Sequence, residues 1–339
     1  MKGIHGRRAA LSVSLIAFLT VFGIFAAACT AEAKTVVYAM DTVSQIRIYR
    51  DGKAEAEALA EEAETLLNRY DALFSAQSGD IAALNGGRLT SLSGEAAETA
   101  EKALYIKELS GGAFTPELGA LTSLWNVSAL VGTVASPPTD EEISAALSKT
   151  GSAEVNGGVL TVAGDIELDL GGIAKGAACS YIAEAMKRGG ASGGIIDLGG
   201  NIGVFGKKPD GSDVYRVAVT CAGEAYAYIG VKDACVSVAS SELRWFSDGD
   251  GNRYHHILDP DTGYPAESEF YAVAVVCRDG AYADALSTAV FIVGWNAALE
   301  MREHCTEDFD IVALTRSGEV KVTENNKVIN GAVETAPGK

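Results

Sequence analysis

The sequence predicts an α+β protein, with mixed sheets and flanking helices in one domain. Three stretches in the N-terminal half repeat apolar residues at helical spacing. From about residue 153, short strands separated by Gly-rich turns dominate. Helix and strand do not alternate regularly, which argues against a repeated βαβ winding. No linker or composition break splits residues 35–325, so they form a single domain, followed by a loose polar tail over 326–339.

Taken in order, the chain begins with a targeting pattern. Lys2, Arg7 and Arg8 form a basic region, LSVSLIAFLTVFGIFAAA (11–28) an apolar one, and small residues lead into Cys29. Residues 1–28 resemble a bacterial lipoprotein signal with Cys29 as the lipidated residue, although Ala26 stands where Leu is preferred. Secretion with cleavage near the Ala cluster, or an uncleaved anchor, are the alternatives. The expected location is extracytoplasmic, attached to a bacterial membrane by its lipid.

TVVYAMDTVSQIRIY (35–49) alternates as a strand. Over 53–74, Leu59, Ala63, Leu66, Tyr70 and Phe74 recur on one helical face. SGEAAETAEKALYIKELSGG (93–112) is a second helix, with a Ser start and a Gly–Gly stop. TDEEISAALSKTG (139–151) is a third, its acids favouring the helix dipole. DIELDL (165–170) reads as a strand that opens through two glycines into a helix. GGIIDLGGNIGVFG, YRVAVT, AYAYIGV, ACVSVAS and FYAVAVVC read as strands, and AYADALSTAVFIVG as a helix.

Charge and cysteine content narrow the function. The formal net charge is −18, and no Lys/Arg block follows the leader, which excludes a nucleic-acid partner. Beyond Cys29 stand Cys179, Cys221, Cys235, Cys277 and Cys305, with no C-x-x-C pair, so a zinc site is poorly supported. Apolar surroundings make these small buried hydrophobes, with one disulfide left open.

Four stretches carry chemistry. In DLGGIAKG (169–176), Gly171 and Gly172 allow close backbone approach and the next helix N-terminus favours an anion. Lys175 suits a phosphate, and Asp169 a ribose or ring N–H. A structural turn is the bland alternative. In YHHILDPDTGYPA (254–266), adjacent His255 and His256 point to opposite faces of a strand, so one of them can serve a site as proton carrier. Asp284 and Thr288, four apart on a helix, offer oxygens to a hard cation such as Mg²⁺; a helix cap is the plainer reading. Phe114 and Trp125 could line a ring pocket, but such residues are more often core. The DLGG repeat at 169–172 and 197–200 suggests two similar turns delivered to one place.

Together these stretches resemble the ApbE family of FAD:protein FMN transferases over roughly 36–325. The resemblance rests on MDT at Met40, GAFTP (112–116), DLGGIAKG (169–176), GGN (199–201), HILDPDTGYP (256–265) and DALSTA (284–289), in that order. It implies an ApbE-like, T-fold-related fold with a flavin site between two halves. It also implies an enzyme that cleaves FAD with Mg²⁺, releases AMP and attaches FMN to a Thr or Ser hydroxyl of an acceptor protein. The acceptor would be a membrane redox-complex subunit or a secreted flavoprotein. By that resemblance Met40, Ala113, Phe114, Thr115, Asp169, Lys175 and Ile257 contact FAD. Gly172, Asp284, Ser287 and Thr288 hold Mg²⁺, and His256 moves the proton. Asp41 replaces the family's Gly, Thr115 an acidic residue and Ser241 a Gly, and the Tyr that usually follows is missing. The FSAQSGDIAALN loop is short and lacks an aromatic residue. An FAD pyrophosphatase that passes FMN to water shares every motif; a flavin-binding or scavenging lipoprotein without turnover and a plain structural lipoprotein are the alternatives from other classes.

Overall fold

A computed structural model of the protein describes residues 30–336. Cys29 and residues 1–28 lie outside the described residues, as do 337–339. Among the described residues no helix is long and apolar enough to cross a membrane.

The first strand prediction becomes two. β1 (Thr30–Ala39) and β2 (Thr42–Asp51) form an antiparallel hairpin in which Ala39 faces Thr42. The reversal falls on Met40 and Asp41, both left-handed, with φ of 52° and 56°. That pair of positive φ values matches the twist of a two-residue hairpin turn. The alternating pattern ran through the turn unbroken because Met-Asp is not the usual Asn-Gly signal.

α1 (Lys53–Phe74) follows and buries Ala56, Leu59, Ala60, Ala63, Leu67, Tyr70 and Phe74. Leu67, rather than the expected Leu66, is the fully buried position. Then come α2 (Asp80–Asn85), β3 (Leu92–Ser93), α3 (Glu95–Leu109), α4 (Gly119–Trp125) and α5 (Val127–Leu130). α6 (Asp140–Leu147) opens on a full capping box: the Thr139 hydroxyl accepts from the Glu142 amide, and the Glu142 carboxylate accepts from the Thr139 amide. β4 (Gly151–Asn156) and β5 (Val159–Gly164) pair with each other, and β5 pairs with β3 on its other side.

Residues 165–170 are not the predicted strand. They run as an extended connector after β5, tied down by the Asn85 carboxamide, which donates to the Leu168 carbonyl and accepts from its amide, both at 2.8 Å. Leu168 and Leu170 are buried, so the apolar alternation reports packing rather than a ladder. α7 (Ala174–Arg188) then starts. The remaining elements are β6 (Gly193–Leu198), β7 (Asn201–Gly206), β8 (Tyr215–Cys221), β9 (Glu224–Val231), β10 (Ala234–Ser240), β11 (Trp245–Ser247) and β12 (Arg253–His255). They continue with β13 (Phe270–Cys277), α8 (Gly280–Val293), α9 (Trp295–His304), β14 (Phe309–Thr315), β15 (Val320–Val322) and β16 (Glu334–Thr335).

The main sheet has eight strands in the order β1-β2-β6-β7-β10-β13-β14-β15. The ladders between these strands, and those of the smaller sheets, are all antiparallel; the sheets are not mixed. Helices α1, α7 and α8 cover one face. The sheet β16-β9-β8 covers much of the other. This double cover explains why FYAVAVVC is apolar throughout. Val273, Val275 and Cys277 face the helices, while Ala272, Ala274 and Val276 face the small sheet.

The expected loose tail is also corrected. Over 326–336 the chain packs back on the domain: Val328 and Ile329 are buried, and β16 pairs with β9. The buried Asp310 carboxylate accepts from the Lys327, Val328 and Ile329 amides, so a polar sequence is anchored by its backbone. The described cysteines beyond Cys29 are all free, and Cys179, Cys235 and Cys277 are buried.

Candidate active site

The helix-side face of the sheet carries a cavity of about 660 Å³, within the range of about 300–1,000 Å³ usual for small-molecule sites. Every described residue that the family resemblance assigns to flavin, metal or proton transfer lines it. Met40, Ala113, Phe114, Thr115, Asp169, Lys175 and Ile257 are there, with Gly172, Asp284, Ser287, Thr288 and His256. They come from segments as far apart as residues 40 and 288, so folding has gathered them.

Each wall has a local cause. Met40 is held in its left-handed turn by the Asp71 carboxylate of α1, which accepts from the Met40 amide at 3.0 Å. Phe114 is anchored by its amide, which donates to the Ser110 hydroxyl. Its ring lies against Gly172, where an added Cβ would meet Phe114 Cε2 at 3.0 Å. Thr115 turns its hydroxyl to the Glu117 amide. Both DLGG turns close the same way: Asp169 accepts from the Gly171 amide and Asp197 from the Gly199 amide. Both reach the cavity, through Gly171 and Gly172 in one case and Gly199 in the other. Trp125 is core, as the plain reading holds. It donates from Nε1 to the Gly263 carbonyl and packs on Phe246 and Tyr254, with an edge on the cavity.

Asp284 does not cap its helix; Asp279 does that, accepting from the Ala281 amide. Asp284 is only 5% exposed and accepts from the Gly176 amide at 3.0 Å and the Ser237 hydroxyl at 2.9 Å. Both donors are neutral, and no cation pairs with it among the described residues. Asp310 makes the comparison: also buried, it has the Arg302 guanidinium at 2.7 Å besides its amides. A buried carboxylate usually needs a cationic partner or a metal. The Gly176 amide, by turning to Asp284, does not close a helical bond to Gly172. The Gly172 carbonyl is left without a hydrogen bond among the described residues, and so is the Thr288 hydroxyl. A carboxylate, a carbonyl and hydroxyls are hard oxygen donors that suit Mg²⁺. Among the described residues no cluster of three or more His, Cys, Asp and Glu could hold a metal, which separates this donor set from zinc.

The two histidines divide between structure and cavity, although only His255 belongs to β12 and His256 lies in the bend after it. His255 Nδ1 accepts from the Ile257 amide, and Nε2–H donates to the Ala266 carbonyl at 3.2 Å. Burial pushes its pKa down to about 4 against the opposing hydrogen bond to Ala266, which fits a neutral structural residue. His256 lines the cavity instead. Its Nδ1 lies 3.4 Å from the Arg244 carbonyl, which can only accept, so Nδ1 carries the proton and Nε2 keeps the lone pair. Burial, then the Arg244 charge, push its pKa down to about 3.

Two cavity residues escaped sequence reading. Arg244 carries no motif signal of its own. Asn201 was visible in GGN but given no role. It is 5% exposed, sits opposite Ser237 in the β7–β10 register, and its carboxamide has no hydrogen bond to another described residue. Ser241, in place of a Gly, is buried with its hydroxyl unpartnered among the described residues, and Leu243 stands exposed at the rim. The short loop after α1 lends Ser75, Ala76 and Gln77 to the cavity.

The model of the ApbE family matches residues 40–312. The FAD:protein FMN transferase of Treponema pallidum is 32% identical over 287 residues, covering 75% of this chain and 76% of the relative. The protein of that name in Haemophilus influenzae is 25% identical, covering 91% and 94%. Among solved structures, the ApbE protein of Thermotoga maritima superposes with a TM-score of 0.75 at 26% identity, over 87% of this chain and 97% of that one. The apo flavinyl transferase ApbE of Pseudomonas stutzeri gives 0.72 at 27% identity, over 87% and 95%.

Proposed function

The chain belongs to the ApbE family, and from that premise we propose that it is an FAD:protein FMN transferase working at the cavity just described. The observation that carries this is the convergence of Gly172, Lys175, His256, Asp284 and Thr288 on one cavity wall system, around a buried carboxylate that lacks a cation.

FAD enters with its anionic diphosphate toward Lys175 and the N-terminus of α7, which both attract negative charge. Asp284, the Gly172 carbonyl, Ser287 and Thr288 would hold Mg²⁺. When bound, that ion neutralises the diphosphate and stabilises the departing AMP phosphate. An acceptor Thr or Ser oxygen attacks the phosphorus on the FMN side, and the bond from that phosphorus to the AMP phosphate breaks. His256 Nε2 takes the hydroxyl proton, since its tautomer is fixed by the Arg244 carbonyl. A ring depressed to about 3 is by itself a weak base. Anionic substrate beside it offsets the neighbouring cations and raises its basicity. The N-terminal basic and apolar pattern supports an extracytoplasmic, lipid-anchored enzyme with Cys29 as the attachment point.

The test is incubation with FAD, Mg²⁺ and a Thr-bearing acceptor, reading covalent yellow product against free FMN. His256→Ala is expected to slow transfer by about 10²–10⁴-fold while FAD affinity holds. Free FMN and AMP with no labelled protein would mean hydrolysis instead, and bound FAD left intact would mean no enzyme.

A further inference from the structure

Arg244 lies between β10 and β11 and does two separate things. Its backbone carbonyl accepts from the His256 amide at 3.2 Å and faces Nδ1. Its side chain reaches across the cavity. Nη2 donates to the Asp41 carbonyl at 3.3 Å and Nη1 to the Ser128 hydroxyl at 3.2 Å. The guanidinium thereby ties the β1–β2 turn to α5, two walls that are remote in sequence.

The charge balance of the cavity is uneven. Four carboxylates line it, from Asp41, Asp71, Asp169 and Asp284, yet neither of its two cations, Lys175 and Arg244, pairs with a carboxylate among the described residues. Lys175 rests on the Gly171 carbonyl at 3.2 Å, and Arg244 on a carbonyl and a hydroxyl. Three of the carboxylates are occupied by amides or a hydroxyl instead. Neither neutral acceptor offers the guanidinium the two parallel charge-assisted bonds that a phosphate or carboxylate can accept. Both cations also act on His256, which puts them near the same ring.

We propose that Arg244 is a substrate-binding residue: its guanidinium leaves Asp41 and Ser128 and grips the diphosphate of FAD with its two-pronged fork, together with Lys175. This rests on the transferase reading of the cavity. Arginine suits the task because its planar fork matches two phosphate oxygens at once. Departure from Asp41 and Ser128 also unties the two walls when the anion arrives.

Affinity measurements with FAD, ADP and riboflavin separate the possibilities, since riboflavin has no phosphate. Any substitution of Arg244 keeps the backbone carbonyl that holds His256, so only the side chain is tested. Arg244→Gln is expected to weaken FAD and ADP about 10- to 100-fold and leave riboflavin within about twofold. Ser128→Ala, which removes a resting place but not the cation, is expected to keep or tighten FAD binding. Unchanged FAD affinity in Arg244→Gln overturns the proposal. So does an equal loss for riboflavin, or an equal loss in Ser128→Ala, either of which would make Arg244 only a strap. Should Arg244→Gln not fold, Arg244→Lys, with charge but no fork, is expected to weaken FAD about 3- to 10-fold. Failure of the wild type to bind FAD defeats the transferase reading itself; normal wild-type binding with an unaffected variant defeats the Arg244 inference alone.

Discussion

Gly176→Ala tests how tightly the helix crossing sets the site. α7 and α8 meet glycine on glycine: a Cβ on Gly176 would lie 1.9 Å from the Gly280 carbonyl oxygen and 2.7 Å from Asp284 Cβ. Both obstacles belong to the helix and cannot swing aside. Relief needs a separation of about 1 Å, since carbon and oxygen rarely approach within about 3 Å of each other. The Gly176 N–H to Asp284 bond, now 3.0 Å, spans the same contact and would open to about 4 Å, beyond hydrogen bonding. Losing a bond to a charged group costs about 1.5–3 kcal/mol. Overpacking adds about 1–3 kcal/mol. The better helix propensity of Ala returns up to about 1 kcal/mol. The net is a loss of about 1.5–5 kcal/mol, read as a melting temperature lower by about 2–8 °C for a domain of about 300 residues. Because Asp284 moves with the contact, any Mg²⁺ dependence of FAD affinity should shrink at least about tenfold. A variant melting within about 1 °C of wild type, with its metal response intact, would refute the idea that this crossing positions Asp284.

Two further expectations follow from burial. The neutral histidines make the fold acid-sensitive: His255 and His256 sit at about 4 and 3, below the 6.5 of the unfolded chain, so between those limits the unfolded state binds more protons. Stability is complete above about pH 6.5 and falls as pH drops, by up to about 1.4 kcal/mol per unit for each ring. Melting curves from pH 7 to 4.5 should be shallower for His256→Asn; an equal slope would mean that ring titrates normally. Deleting residues 327–339 strips the Lys327, Val328 and Ile329 amides from Asp310 and exposes the sites of two apolar side chains. A loss on the order of 5 kcal/mol is expected in chemical denaturation. A midpoint unchanged by the deletion would show that the tail only decorates the surface.

Much of the fold could be read from the residues because period and burial agree. α1 runs over the very stretch where the apolar repeat does, and the apolar strands occupy the centre of a doubly covered sheet. Legibility failed where a residue acts through its backbone or a side chain replaces a ladder. Met40 and Asp41 turn a hairpin with no glycine. DIELDL keeps a strand's alternation while bonding to Asn85. The tail is polar in side chains but held by three amides. In the site, residue types with intrinsic chemistry stood out in sequence, namely the glycines, Lys175, His256 and Asp284. Arg244 and Asn201 did not, because their place depends on contacts from remote segments.

Asp284 is the buried anion on which the proposed metal site depends. The decisive measurement is calorimetric titration of FAD with and without Mg²⁺, in wild type and in Asp284→Asn. The amide keeps the shape and can still meet Gly176 and Ser237, so the variant should melt no lower than wild type. Wild-type binding should tighten with Mg²⁺ and the variant's should not respond. An identical Mg²⁺ response in both proteins would contradict the assignment.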